Sequence, residues 1–166
     1  MGSYTQAKAA VRQWLEDNWT TTRIAYQNET PDDPWPPTAP DPDFPDFPNT
    51  VPFAYLEIAS LPGQRIRGAG TPGSHISQTD GFIYVHVFTP ANTGDELAST
   101  YAESIGEVFR NKVPYNPGDG CYLRTWVPRV DEGGDGAGAA DEIADVNSGN
   151  WFRVTTSVPF QYFHQG

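Results

Sequence analysis

Residues 80–109, DGFIYVHVFTPANTGDELASTYAESIGEVF, change hydrophobic period from 2 to 3.6 across one short loop. Phe82, Tyr84, His86 and Phe88 fall on one face of a strand and Ile83, Val85 and Val87 on the other, so both faces need cover and the strand is interior. After the loop, Leu97, Ala98, Tyr101, Ile105, Val108 and Phe109 recur at helical spacing, with Asp95 and Glu96 at the positive end of the helix dipole. A strand that hands over directly to an amphipathic helix commits the chain to a sheet with a helix lying on it.

The 166 residues suit one domain with a real core, yet only 37% are hydrophobic, so much of the chain is loop or surface. A net charge of -11 argues against a nucleic-acid groove, which needs a basic footprint. Cys121 is the single cysteine and is expected as a small buried residue rather than a nucleophile. The opening residues carry no apolar signal core, and no run approaches the eighteen or so apolar residues of a membrane span, so a soluble, unexported protein without membrane contact is expected.

Around the central unit, Ala7, Ala10, Val11, Trp14, Leu15 and Asn18 mark one face of a helix over about residues 5–17, with Trp14 expected to anchor it to the sheet. Residues 22–27 alternate as a short half-buried strand, with Ile24 and Tyr26 opposed to Arg23, Ala25 and Gln27. Residues 53–59 read as a strand apolar on both faces apart from Glu57; Leu61, Pro62 and Gly63 read as a turn, and residues 64–67 as a short polar strand. Residues 121–127 read as a strand with Tyr122, Arg124 and Trp126 on one side. In the last strand Phe152, Val154, Thr156, Val158, Phe160 and Tyr162 share a face, and Pro159 suggests a bulge or an edge.

Two segments break this order. Residues 30–52 hold nine of the sixteen prolines and five aspartates, with no Lys or Arg between Arg23 and Arg65, and read as an extended, largely polyproline-like loop. Trp35, Phe44 and Phe47 interrupt it; either the loop folds back and plugs these rings into its own domain, or they dock onto a neighbouring subunit or partner. Residues 131–150 are Gly-rich and acidic, with six acids and no base, which suits a solvated loop. Asp131, Glu132, Asp135, Asp141, Glu142 and Asp145 lack the spacing of a calcium loop.

The expected architecture is therefore α+β: a mainly antiparallel sheet with two helices packed on one face, in a single domain carrying loop insertions at 30–52 and 131–150. No catalytic centre, metal site or cofactor is expected. His75, His86 and His164 form no ligand pattern, and His86 reads as a hydrogen-bonded core residue. Residues 68–73 match GxGxxG literally, but Pro72 and a strand follow where a dinucleotide fold needs a helix. A small β-rich carbohydrate- or peptide-binding module is a rival reading, with Trp35, Trp126 and Trp151 as a stacking platform.

The ordered succession WLEDNWTTTRIAYQNE, a proline-rich break, VPFAYLEIASLPGQ and DGFIYVHVFTPANTGDELASTYAESIGEVF resembles the phage tail terminator family, over roughly residues 5–112. The long proline loop and the acidic segment are less typical of that family. The resemblance implies a virion structural protein made in the host cytoplasm. It would form a ring, usually of six subunits, that caps the head-proximal end of the tail tube and joins it to the head connector. Its partners would be copies of itself, the tail tube protein and the connector or stopper protein, with DNA passing through the channel without specific binding. Trp35, Phe44, Phe47, Trp126, Asp135, Asp141 and Asp145 are the expected contact residues, and an excess of acid suits a channel wall past which DNA slides.

Overall fold

The computed structural model describes residues 2–46, 48–67, 75–91, 93–132 and 151–165. In chain order the elements are α1 (Tyr4–Asn18), β1 (Arg23–Tyr26), β2 (Thr38–Ala39), β3 (Asn49–Thr50), β4 (Phe53–Arg67), β5 (Ile76–Pro90), α2 (Glu96–Phe109), β6 (Tyr122–Thr125), β7 (Arg129–Glu132) and β8 (Trp151–Gln165). The main sheet runs β1-β4-β5-β8-β6, with β7 also paired to β8, and every pairing is antiparallel except β1 with β4. The fold is α+β with two helices and a mostly antiparallel sheet, and β5 is interior as its pattern requires.

Both helices share one core with Ala54 and Leu56 of β4, Ile83, Val85 and Val87 of β5, and Val154, Val158, Phe160 and Tyr162 of β8. A capping box starts α1: the Ser3 hydroxyl accepts from the Gln6 amide, and the Gln6 side chain accepts from the Ser3 amide. Ala7, Val11 and Leu15 of α1 are fully buried. Trp14 packs against the shared core and also ties α1 to α2, donating from Nε1 to the Val108 carbonyl at 3.0 Å. Helix α2 buries Ala98, Ala102, Ile105, Gly106 and Phe109, whereas Leu97, expected in the core, is 39% exposed. Small residues form the line closest to the sheet, so the backbone approaches it. Pro128 and Thr156 pack at Gly106, and the Thr156 hydroxyl donates to the Ala102 carbonyl at 2.6 Å.

One further expectation is corrected and two are refined. Leu61, Pro62 and Gly63 do not turn the chain: β4 runs on through a register shift between Ser60 and Gln64, with Gly63 at φ +100°, and continues its pairing with β5 to Arg67. In β1 the buried residue is Ala25, with Ile24 and Tyr26 only half-buried against the helix side. Pro159 is not at an edge, since β8 is paired on both sides, but it does face a one-residue register shift, with residues 126–128 opposite residues 158 and 159. Its carbonyl accepts from the Trp126 amide at 2.9 Å, in the gap between the stretches paired to β6 and β7, so its missing N–H leaves no ladder partner unsatisfied.

At the far end of the helix layer, Tyr4, Tyr115 and His164 gather around Tyr162, and the Tyr162 hydroxyl donates to the Gly2 carbonyl at 3.2 Å. Burial, with smaller contributions from Cys121, Tyr115 and Asp119, pushes the Tyr162 phenol up to about 12. Between the ordinary tyrosine value near 10 and that value, the unfolded chain releases a proton that the folded chain keeps, so stability falls as pH rises through this window. Urea unfolding from pH 8 to 11.5 is expected to show the fall. Tyr162→Phe is expected to remove one proton's share of the slope, roughly 1.4 kcal/mol per pH unit. An unchanged slope would mean that Tyr162 is not responsible.

Candidate interface surfaces

The loop between β1 and β4 has defined ties to the domain rather than running as a free extended chain. Arg12 of α1 pairs with Glu29, and Arg23 of β1 donates to the carbonyls of Asp32 at 2.6 Å and Pro34 at 2.8 Å. The peptide bonds Asp33-Pro34 and Trp35-Pro36 are cis. Trp35 turns inward and meets Phe53 edge-on with centroids 4.6 Å apart, so for this ring the fold-back alternative applies. Beyond it, β2 and β3 form a two-residue ladder, and the Val51 amide donates to the Pro37 carbonyl at 3.0 Å.

The middle of the loop is organised by Asp41. One carboxylate oxygen accepts from the amides of Asp43 at 2.9 Å and Phe44 at 3.3 Å; the other accepts from the Asn49 side chain at 3.0 Å. These bonds, the Asp43 amide first, hold the Asp41 carboxyl below the usual carboxylate range. The result is a compact acidic knob with Phe44 on its surface, 63% exposed. Phe47 lies outside the described residues.

At the opposite edge of the sheet, β6 is held on its outer side by the connection from α2. The Leu123 amide donates to the Tyr115 carbonyl and the Thr125 amide to the Lys112 carbonyl, both at 2.9 Å; the Thr125 hydroxyl bonds the Phe109 carbonyl. Val113, Trp126 and Val127, on these two joined segments, are all exposed, and the Arg124 guanidinium lies 4.1 Å over the Trp126 ring. Sequence reading singled out Trp126 but not Val113 or Val127, because nothing local tells that the α2–β6 connection runs beside the end of β6.

On the helix-free face of the sheet, His86 links three strands. Its Nδ1 is 2.7 Å from the Thr155 hydroxyl of β8, its Nε2 is 3.5 Å from a Glu57 carboxylate oxygen of β4, and the ring stacks on Tyr55. Thr155 was invisible as a partner in sequence, since 69 residues separate it from His86. Phe53, Tyr55 and Phe88 form a second core at one end of this face, flanked by Trp35 and Trp151. Trp151 meets Phe53 edge-on at 5.0 Å, whereas Trp126 sits beside Pro159, eight residues further along β8 or roughly 26 Å at strand spacing. The three tryptophans thus form no common platform.

Among the described residues no group of three or more His, Cys, Asp or Glu side chains is placed to hold a metal ion, and no helix is long and apolar enough to cross a membrane. Asp135, Asp141 and Asp145, together with Glu142 and the GxGxxG match at 68–73, lie outside the described residues. Asp131, inside them, pairs with Arg129 at 2.9 Å.

No protein-family model matches the chain. No curated protein matches it. Sixteen chains of solved structures match. One of them, a protein with no stated function, aligns over 93% of this chain and 94% of its own, with 17% identity and a TM-score of 0.50. At that identity the likeness is one of fold alone.

Proposed function

We propose that this protein is a virion structural subunit that assembles into a ring, usually of six copies, at the head-proximal end of a phage tail tube. There it ends tube growth and joins the tail to the head connector, with the tube protein and the connector or stopper as its partners. The supporting observation is that exposed large apolar side chains stand on two dissimilar segments, Phe44 on the knob of the β1–β4 loop and Val113, Trp126 and Val127 where the α2–β6 connection runs beside the end of β6, with Leu61, Ile76 and Leu97 exposed elsewhere. A ring needs such a pair, because a heterologous contact joins two different patches of the same subunit. The sequence resemblance over residues 5–112 points the same way, and the net charge of -11 suits a channel that DNA passes without being held. Glu57, His86 and Thr155 are then a brace across β4, β5 and β8 rather than a reaction centre.

A carbohydrate- or peptide-binding module is the weaker reading, since Trp35 and Trp151 are spent on Phe53 and Trp126 stands apart. Native mass measured over a range of protein concentrations at moderate salt separates the two. A discrete closed ring, above all a hexamer, is expected; a strict monomer both alone and in the presence of tail tubes would overturn the ring.

A further inference from the structure

We propose that the acidic Phe44 knob of one copy docks on the basic apolar patch around Trp126 of a second copy. The inference rests on the ring reading and supplies its contact. The knob offers one large apolar ring flanked by Asp41, Asp43 and Asp46, in a stretch without any Lys or Arg between Arg23 and Arg65. The patch offers the complement: exposed Val113, Trp126 and Val127, with Arg124 over the indole and Lys112 beside them. Neither Arg124 nor Lys112 forms an ion pair among the described residues. The two other nearby cations are matched locally, Arg110 by Glu107 at 2.7 Å and Arg129 by Asp131. In a chain of net charge -11 this corner therefore carries Arg124 without a carboxylate ion pair, and Lys112 with only a through-space attraction to Glu107, beside exposed apolar surface, which is the chemistry an acidic aromatic knob fits.

Geometry favours a second copy over a contact within one chain. The loop that carries the knob leaves β1, and the patch caps β6, which lies four strand spacings from β1 or roughly 19 Å across the sheet. Phe44 is exposed in its own subunit, and each copy offers one knob and one patch, so copies join head to tail and close if the rotation permits. The Asp41 bonds fix the knob before contact, so little ordering is needed on binding.

The test is sedimentation velocity of the full chain over a range of concentrations, with two variants at exposed positions, Phe44→Asp and Arg124→Glu. Circular dichroism and Tm are taken first to establish that both are folded. Each variant alone is expected to weaken association about tenfold or more, the size typical of a central aromatic or arginine contact. An equimolar mixture is expected to form a dimer and nothing larger, because the intact patch of the Phe44→Asp copy receives the intact knob of the Arg124→Glu copy. Wild-type assembly retained in Phe44→Asp overturns the knob contact and leaves the ring standing. A mixture that stays monomeric overturns it too, as does an Arg124→Glu copy that assembles normally while losing affinity for a short DNA duplex. A monomeric wild-type protein at every concentration overturns self-docking and, if tail tubes do not assemble it either, the ring as well.

Discussion

Phe53→Ala is expected to lower stability by about 3–5 kcal/mol, the range for emptying an aromatic site in a core. Phe53 is fully buried at the start of β4 and is the hub of the helix-free core, stacking on Phe88 at 4.8 Å and meeting Trp35 and Trp151 edge-on. Collapse cannot easily fill the gap. Phe88 is fixed by its strand and Trp35 by a loop already tied to Arg23. The loss is a large part of the roughly 5–15 kcal/mol that a domain has in total. It should also free the Trp35 end of the loop, so that cleavage by protease between residues 30 and 52 rises more than global unfolding alone explains. Urea unfolding and limited proteolysis measure the two effects separately. A destabilisation below about 1 kcal/mol would mean that the second core contributes little, well under what a buried aromatic cluster is worth. Loosening of the loop should weaken assembly in the same variant, because the Phe44 knob stands on that loop.

The elements that sequence reading placed well are those whose signal is local. The β5–α2 change of period and the alternation of β8 each reflect burial on a known repeat, and both elements lie where that repeat puts them. Leu97 misled because hydrophobicity ranks leucine above alanine, whereas the line of α2 nearest the sheet is set by Ala98, Ala102 and Gly106, which allow close approach. Leu61, Pro62 and Gly63 carry the composition of a turn, but pairing with β5 on either side of them leaves room only for a bulge. Pro159 was legible in part: its missing donor marks the one-residue register shift between β6 and β7, which asks no N–H of it, although the strand is interior rather than an edge. Of the candidate contact residues, Phe44 and Trp126 are exposed and Trp35 is turned inward, a division that composition could not make because all three are large aromatics in or beside loops. The Asp41 bonds that build the knob span only eight residues. They were legible in principle as an Asp followed two and three residues later by amides it can accept from.

Gly81→Ala is expected to cost stability at the upper end of the roughly 1–3 kcal/mol range for overpacking, and Gly81→Val more. The apolar alternation begins only after Gly81, yet Gly81 sits inside β5, opposite Ser60 of β4 and Phe160 of β8. A Cβ built there would lie 2.7 Å from Phe160 Cε1 and closer still to Phe160 Cζ and the Ala59 carbonyl oxygen. The carbonyl belongs to β4 and cannot withdraw without disturbing the ladder beside the Ser60–Gln64 bulge. The ring belongs to the helix-side core, where Phe160 is almost completely buried. Shrinking that ring should therefore relieve only part of the clash. Phe160→Leu alone destabilises, but in combination with Gly81→Ala the two losses should sum to less than their separate values, a coupling of about 0.5–3 kcal/mol in a double-mutant cycle. Strict additivity would place the strain entirely at the Ala59 carbonyl. A Gly81→Ala protein as stable as the wild type would mean that the strand can open there, and that the close packing of Phe160 across the backbone does not set the register of the distal β4–β5–β8 arm.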